Sequence, residues 1–599
     1  MRTKVSLTRG QRSSTVYPAM ASLALALSAS SFPPRSYAWV TASPEAIAWT
    51  SCPEDLLAPH PELRERISCA KLNAPLDHHV PSKGSITLDI LRVAAANGAA
   101  REGSVFMNHG GPGGAGRSRT LNYAEVFRLA KEEDSVTRGQ HYLDKHFDLV
   151  AVEPRGVGPS SAFFCRSEQL LPTYRDVTSY RDEANLVRAE NAQRAIAESC
   201  LAQPQVRYIN TEQTALDMEL VRSALGDEKL NYFGTSYGTT LGSWYGRLFP
   251  ERIGRMVLDS NMNWTRSPGE TWLSQPAARQ RSFEQLLAPY VAARPDIYSL
   301  GKRSKAIIRS THALSPGVLA ASRGFLVVHN TRFVEESAAA LLAAHVIDRY
   351  LRSDPNLTLD ALRSQVKGHA FSRDSEIDEL AREFADFYAE ALLTEPAPAK
   401  PLLLTPGGAT YAAVSCNDAP SLSQQPSTWR ALGDKYAVKH PIGGSEPTMR
   451  PCMYWGVSNL EGPPLKRLAR GEGIVMVQAE YDNQTPEKGA FRAWTKVPNA
   501  SMIYAPGEAK HTMFVGTNQC VDKHVGDFFA FGIRPGRLES CHQDQPTGSL
   551  HNAPEGAMAS GYRDRTRAAE MIERVQQEND RDDTMFADSP LKGTTWRNQ

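Results

Sequence analysis

Ser236 sits in Gly234-Thr235-Ser236-Tyr237-Gly238, after the apolar run Leu230-Asn231-Tyr232-Phe233. The pattern G-x-S-x-G is that of a sharp strand-to-helix turn that lifts a serine hydroxyl clear of its surroundings. Glycines suit the turn because neighbouring backbones pass too close for a Cβ. A serine hydroxyl is a poor nucleophile near neutral pH. It needs a base, and the base needs an orienting acid. With the serine on such a turn, the partners are expected in the chain order Ser, Asp or Glu, His. Asp482, in Glu480-Tyr481-Asp482-Asn483-Gln484-Thr485-Pro486, and His511, in Lys510-His511-Thr512-Met513, follow in that order. The chemistry predicted is acyl transfer through Ser236, that of a hydrolase or an acyl transferase.

Other acids and bases lie nearby. Glu480 shares the loop with Asp482, and Asp259 follows another apolar run. Asp482 is preferred because it is nearer the turn. His524 is the nearest rival to His511, but it falls beside Val521 and Val525 in a helical pattern. The tetrahedral intermediate needs two donors for its oxyanion. The backbone N–H of Tyr237 is one. The turn His109-Gly110-Gly111-Pro112-Gly113 should supply the other, and Gly111 is the choice. No G-x-x-x-x-G-K-[ST], no H-E-x-x-H and no clustered Cys/His spacing occurs. No cofactor and no metal is therefore expected.

These side chains need a rigid scaffold. Ser85–Val93 alternates like a half-exposed strand, while Ser104–Asn108, Phe147–Val152, Arg255–Leu258, Ile474–Val477 and Ser501–Tyr504 read as short strands of the same sheet. Asn210 caps a helical pattern that runs to Leu225 and stops at Gly226. Strands alternating with helices predict an α/β fold with a mainly parallel sheet covered on both faces. Residues 265–400 differ. They contain amphipathic stretches, such as Val334–Leu351 and Ile377–Leu393, and end in the proline-rich Pro396–Pro401. They read as a helical cap inserted between two parts of the core, 45–264 and 401–545, with an independent helical domain as the alternative.

The chain has 599 residues, with 67 Lys and Arg against 66 Asp and Glu, so no basic excess argues for nucleic acid. Arg2, Lys4, Arg9 and Arg12 precede a short apolar run, Ala19–Ala29, and Ser36-Tyr37-Ala38 offers a cleavage site. Residues 1–38 thus read as a signal peptide, since the run is shorter than the roughly 20 residues of a membrane span. Export into an extracellular or periplasmic space is the expectation. The even set of cysteines fits an oxidising compartment. Cys52, Cys69, Cys165, Cys200, Cys416, Cys452, Cys520 and Cys541 admit many pairings, and linking successive neighbours is the simplest. Residues 546–599 form a charged tail with one possible surface helix, Tyr562–Asn579.

His109–Gly113, Glu153-Pro154-Arg155-Gly156-Val157-Gly158-Pro159-Ser160 and Gly234–Gly238 together resemble the prolyl aminopeptidase group of α/β-hydrolases. The later part, with Cys416-Asn417-Asp418, Cys452, Asp482–Pro486, His511 and Cys520-Val521-Asp522, is similar to the secreted tripeptidyl aminopeptidases of bacteria. The likeness runs from about Trp49 to Cys541. It implies an exported serine exopeptidase that removes tripeptides or single residues from peptide substrates with free N-termini. Two departures stand out: Glu153 where the family often has Asp, and Gly507-Glu508-Ala509-Lys510 where it usually has small residues. A substrate ammonium needs a carboxylate partner. The cap offers Glu335, Glu336, Glu376, Asp378, Glu379, Glu383 and Asp386, none of which the sequence singles out. A carboxylesterase or lipase-like enzyme using the same three residues is the chief alternative, because a fold does not choose its acyl substrate. A binding protein on the same scaffold is a third.

Overall fold

Apolar runs of about six residues, too short and too β-branched for helices, become neighbouring strands. In the computed structural model of the chain, residues 46–542 are described, except 160, 172, 328–333, 395–398, 400, 420–424, 457–459, 461, 472 and 516–517. The expected signal peptide, most of the proline-rich joint and the charged tail lie outside the described residues. Eleven strands are β1 (Ile67–Pro75), β2 (Ser85–Val93), β3 (Gly103–Asn108), β4 (Phe147–Val152), β5 (Cys165–Leu170), β6 (Leu230–Thr235), β7 (Ile253–Asp259), β8 (Pro401–Leu404), β9 (Ile474–Ala479), β10 (Ala500–Ala505) and β11 (Leu538–Ser540). Nine of them form one sheet in the order β1-β2-β4-β3-β6-β7-β9-β10-β11. β1 and β2 are antiparallel to each other and β2 to β4, while every pair from β4 to β11 is parallel. β5 and β8 make a separate antiparallel pair.

The central strands are covered on both faces, so β3, β9 and β10 are buried at every position. On one face Val105, Phe233, Val257, Val475 and Ile503 pack with Phe127, Phe514, Phe528 and Phe529 from the covering segments. Local signals set the helix ends. Asn210 accepts from the Gln213 N–H to start the helix Thr211–Ala224, and Gly226 takes φ 74° just past its end. Arg155 is buried and makes a two-bond fork to Asp217 (2.8 and 2.7 Å), with further bonds to the carbonyls of Pro75, Leu76 and Tyr208. It ties the loop after β4 to β1 and to the helix Thr211–Ala224.

Between β7 and β8 the elements of the described residues are all helices. The helices Pro268–Ser282, Val334–Ser353 and Ser375–Leu393 belong to this region. It has an apolar core of its own, with Leu287, Leu341, Ile347, Ile377 and Tyr388, which Ile442, Tyr481 and Ala509 join from later in the chain. Disulfides link Cys52–Cys69, Cys165–Cys200, Cys416–Cys452 and Cys520–Cys541, the successive-neighbour pairing. Among the described residues no helix is long and apolar enough to cross a membrane.

Candidate active site

β6 ends at Thr235 and a helix begins at Tyr237, so Ser236 alone makes the turn. Its backbone has φ 57° and ψ −123°, a conformation that costs a non-glycine residue energy and recurs at functional turns. The flanking glycines are required by contact. A Cβ on Gly234 would lie 2.6 Å from the Gly238 carbonyl oxygen, and one on Gly238 would lie 2.7 Å from that of Asn108. The Ser236 N–H donates to the Asp259 carbonyl at 3.0 Å, which fastens the turn to the end of β7.

The glycine turn after β3 packs onto this elbow. A side chain on Gly110 would lie 2.5 Å from the Thr235 carbonyl and 2.9 Å from the Tyr237 nitrogen. The Gly110 N–H is taken by Asn108 Oδ1 at 3.1 Å. Gly111, at φ 111°, lines the cleft together with Ser236. The Tyr237 N–H belongs to the first turn of its helix, where backbone donors lack helical partners. Gly111 thus shares the cleft with Ser236, and Tyr237 follows the serine directly in the chain. Glu153 serves the same turn from behind. It accepts from the N–H groups of Gly116 and Arg117 at 3.2 and 3.1 Å, at the start of the helix Arg117–Leu129.

Asp482 is buried on the loop after β9. Its Oδ1 accepts the N–H groups of Gln484 and Thr485 at 2.9 and 3.0 Å. Its Oδ2 accepts from Thr485 Oγ1 at 2.8 Å and lies 2.8 Å from His511 Nδ1. The stretch Asp482–Thr485 thus folds around its own carboxylate and aims one oxygen at the imidazole. Burial pushes the His511 pKa down, but the charge and hydrogen bond of Asp482, aided by Asp259, outweigh it and leave it above the ordinary value. His511 and Ser236 line the same cleft, of about 670 Å³, with His109, Gly111, Trp272, Tyr411 and Thr485.

The rival acids are committed elsewhere. Glu480 receives Arg281 at 2.8 Å and the Gly507 N–H at 2.8 Å. Arg281 also pairs with Glu487, so this cluster joins the helix Pro268–Ser282 to the segment after β9. Asp259 is buried, and its Oδ2 accepts the N–H groups of Met513 and Phe514 at 2.8 and 2.9 Å. Ser260 Oγ accepts the Thr512 N–H at 2.7 Å. Asp259 and Ser260 therefore hold the loop that carries His511. Sequence reasoning ranked Asp259 only as a spare acid and missed Ser260. An acid at the end of a buried strand beside the serine strand is the one signal that pointed there.

A second unexpected group supports the elbow. Thr211 Oγ1 bonds to the Tyr237 hydroxyl at 2.5 Å and donates to Asp418 Oδ2, whose other oxygen accepts the Thr211 N–H at 3.2 Å. All three side chains are buried, and burial pushes the Asp418 pKa up to about 7. Of the cap carboxylates, Asp378 pairs with Arg382, Asp386 with Arg363, and Glu335 accepts from the Tyr290 hydroxyl. None of the seven lines the cleft among the described residues. His524 comes close to Cys520 and Cys541, but those sulfurs are joined to each other, which removes the thiolates a metal would use.

Residues 103–294 match the alpha/beta hydrolase fold family, and residues 443–541 match the family described as TAP-like protein. A tripeptidyl aminopeptidase of Streptomyces lividans is 26% identical over 523 residues, 83% of this chain and 86% of that protein. Carboxylesterase B of Mycobacterium tuberculosis is 28% identical over 505 residues, covering 82% and 88%. Serine protease Hip1 of the same species is 30% identical over 250 residues, covering 41% and 45%.

Proposed function

We propose that this α/β-hydrolase, TAP-like in its C-terminal region, is an exported serine exopeptidase that releases tripeptides or single residues from free N-termini. The observation that carries the reading is the 2.8 Å Asp482–His511 contact in the cleft that also exposes Ser236 and Gly111. In this reading Ser236 Oγ attacks the scissile carbonyl while His511 takes its proton. The developing oxyanion is received by the N–H groups of Tyr237 and Gly111. Asp482 keeps His511 in the tautomer whose other nitrogen faces the serine, and stabilises the imidazolium as it forms. His511 then protonates the departing amine, and water repeats the cycle on the acyl-enzyme. The tripeptidyl aminopeptidase of Streptomyces lividans, matched along most of its length, supports the peptidase. The cysteine pairs support export.

Carboxylesterase B, matched over a similar length, favours a second reading, an esterase with the same three residues. Chromogenic substrates of one, two and three residues decide between them. Each is offered with a free and with an acetylated amine, beside a simple ester, with Ser236→Ala as blank. Cleavage confined to the free-amine set supports the exopeptidase and reports the length released. Fast ester cleavage that ignores the amine overturns it.

A further inference from the structure

The walls of the cleft are cationic. Arg119, Arg279 and Arg450 line it, and Glu446 is the one carboxylate that does so among the described residues. Arg279 and Glu446 pair with each other. His109 adds no charge: burial, with Arg119 nearby, lowers its pKa to about 3. Two guanidinium groups therefore remain with no carboxylate partner among the described residues. They place positive charge in the cleft that Ser236 lines.

Arg450 is the built member of the pair. Its guanidinium lies 4.4 Å from the Trp272 ring centroid and 5.9 Å from that of Tyr411. Nη1 donates to the Tyr411 hydroxyl at 2.8 Å, while Nε is buried with no hydrogen-bond partner among the described residues. Tyr411 belongs to the helix Pro406–Asn417, whose backbone packs on Gly113 of the glycine turn, so this wall stands next to the proposed oxyanion donors. The aromatic side chains hold the planar fork and take up one of its donors, which pre-organises the rest of it for an acceptor. Arg119 is exposed at the cleft mouth and adds to the field.

We propose that the cleft selects substrates carrying a carboxylate within a few residues of the scissile bond, and that Arg450 receives it with Arg119 assisting. The inference rests on the cleft being the acyl-transfer site of the proposed function, and it names that site's substrate class. The carboxylate can be an acidic side chain or the C-terminus of a short peptide.

The test uses alanine-based hexapeptides with Glu or Gln at each position in turn, ending in free acid or amide. Hydrolysis is followed by mass spectrometry with the wild type, Arg450→Gln, Arg450→Lys and Arg119→Gln. At the preferred position kcat/KM for the acid is expected to exceed that for its neutral isostere about tenfold, because a bidentate guanidinium–carboxylate contact is among the stronger hydrogen bonds. That ratio should fall below about threefold in R450Q, survive in part in R450K, fall modestly in R119Q, and shrink with added salt. A purely structural Arg450 would lower all substrates together and leave the ratio where it was. A wild-type ratio near one, or a ratio unchanged in R450Q, overturns the proposal. The side-chain and C-terminal arms report which carboxylate is read. If esters are cleaved and peptides are not, the same ratio is measured with 4-nitrophenyl succinate against its methyl ester. The charge preference is thus judged even where the exopeptidase reading fails.

Discussion

At the scale of single residues, the proposed chemistry turns on one proton. His511 must be neutral to act as base, and its pKa is held above the ordinary 6.5. The acid limb of kcat/KM is therefore expected at a pH above 6.5, with activity rising as pH passes through it. Asp482→Asn removes the main charge that raises this pKa and the acceptor that fixes the tautomer. It should move the limb down and lower kcat by about four orders of magnitude with the fold intact. A pH–rate profile with circular dichroism of both proteins checks this, and near-normal turnover discards Asp482. Asp418 gives a stability prediction instead. Burial holds its folded pKa at about 7, above the ordinary carboxylate value of 3.8, so the folded state binds the proton more tightly. The favourable contribution is full below pH 3.8 and is lost as pH rises towards 7. Asp418→Asn keeps acceptor and donor atoms beside Thr211 without the ion. It should raise the thermal midpoint at pH 8, by at most about 4 kcal/mol of stability, and change it little at pH 4. Ser236, Asp482 and His511 were legible because the elbow demands glycines and the partners' order follows strand order. Ser260, Thr211 and Asp418 were not, because their roles arise from contacts between segments far apart in the chain.

Elements place these residues, and the strands were more legible than their edges. Fully apolar runs such as Ile474–Val477 announced buried strands, whereas β11 is short and half-buried, and β1 alternates too weakly to stand out. Residues 265–400 read as helical from their amphipathic stretches, but the joint of that region to the sheet was not legible. That joint is Arg281 on the helix Pro268–Ser282, paired with the buried Glu480 on the loop after β9 and Glu487 beyond it. Tyr504 donates to Glu487 from β10 at 2.7 Å. Sequence reasoning weighed Glu480 only as a catalytic acid. Removing one member of a buried ion cluster strands the others, at a cost of about 3 to 5 kcal/mol. Arg281→Met is expected to destabilise by that amount in urea unfolding. It should do so more than Arg363→Met, whose partners Asp386 and Glu390 are exposed. Equal effects would mean that the Arg281 cluster is not a joint.

Over the whole molecule, the disulfides connect segments that the sheet does not. Cys52–Cys69 fastens the chain's described start to β1 at the sheet edge, remote in strand order from β6. Cys416–Cys452 has a different position. It joins the helix Pro406–Asn417, which carries Tyr411 and leads into Asp418, to the turn Pro451–Tyr454 just after Arg450. Trp455 supports the same seam by donating to Asn417 Oδ1 at 2.9 Å. The cleft wall built from Arg450 and Tyr411 thus has a covalent link behind it. Each disulfide restricts the unfolded chain and contributes about 3 to 4 kcal/mol for loops of these lengths. Stability alone therefore does not separate them, but catalysis should. C416S/C452S is expected to lower the thermal midpoint and also to raise KM several-fold with a smaller change in kcat, because the wall loses its fixed spacing while Ser236, Asp482 and His511 keep theirs. C52S/C69S should lower the midpoint with KM unchanged. Steady-state kinetics below both midpoints makes the comparison. Equal KM values in the two variants would mean that the wall is held by packing alone, and that the link behind Arg450 serves the fold rather than the cleft.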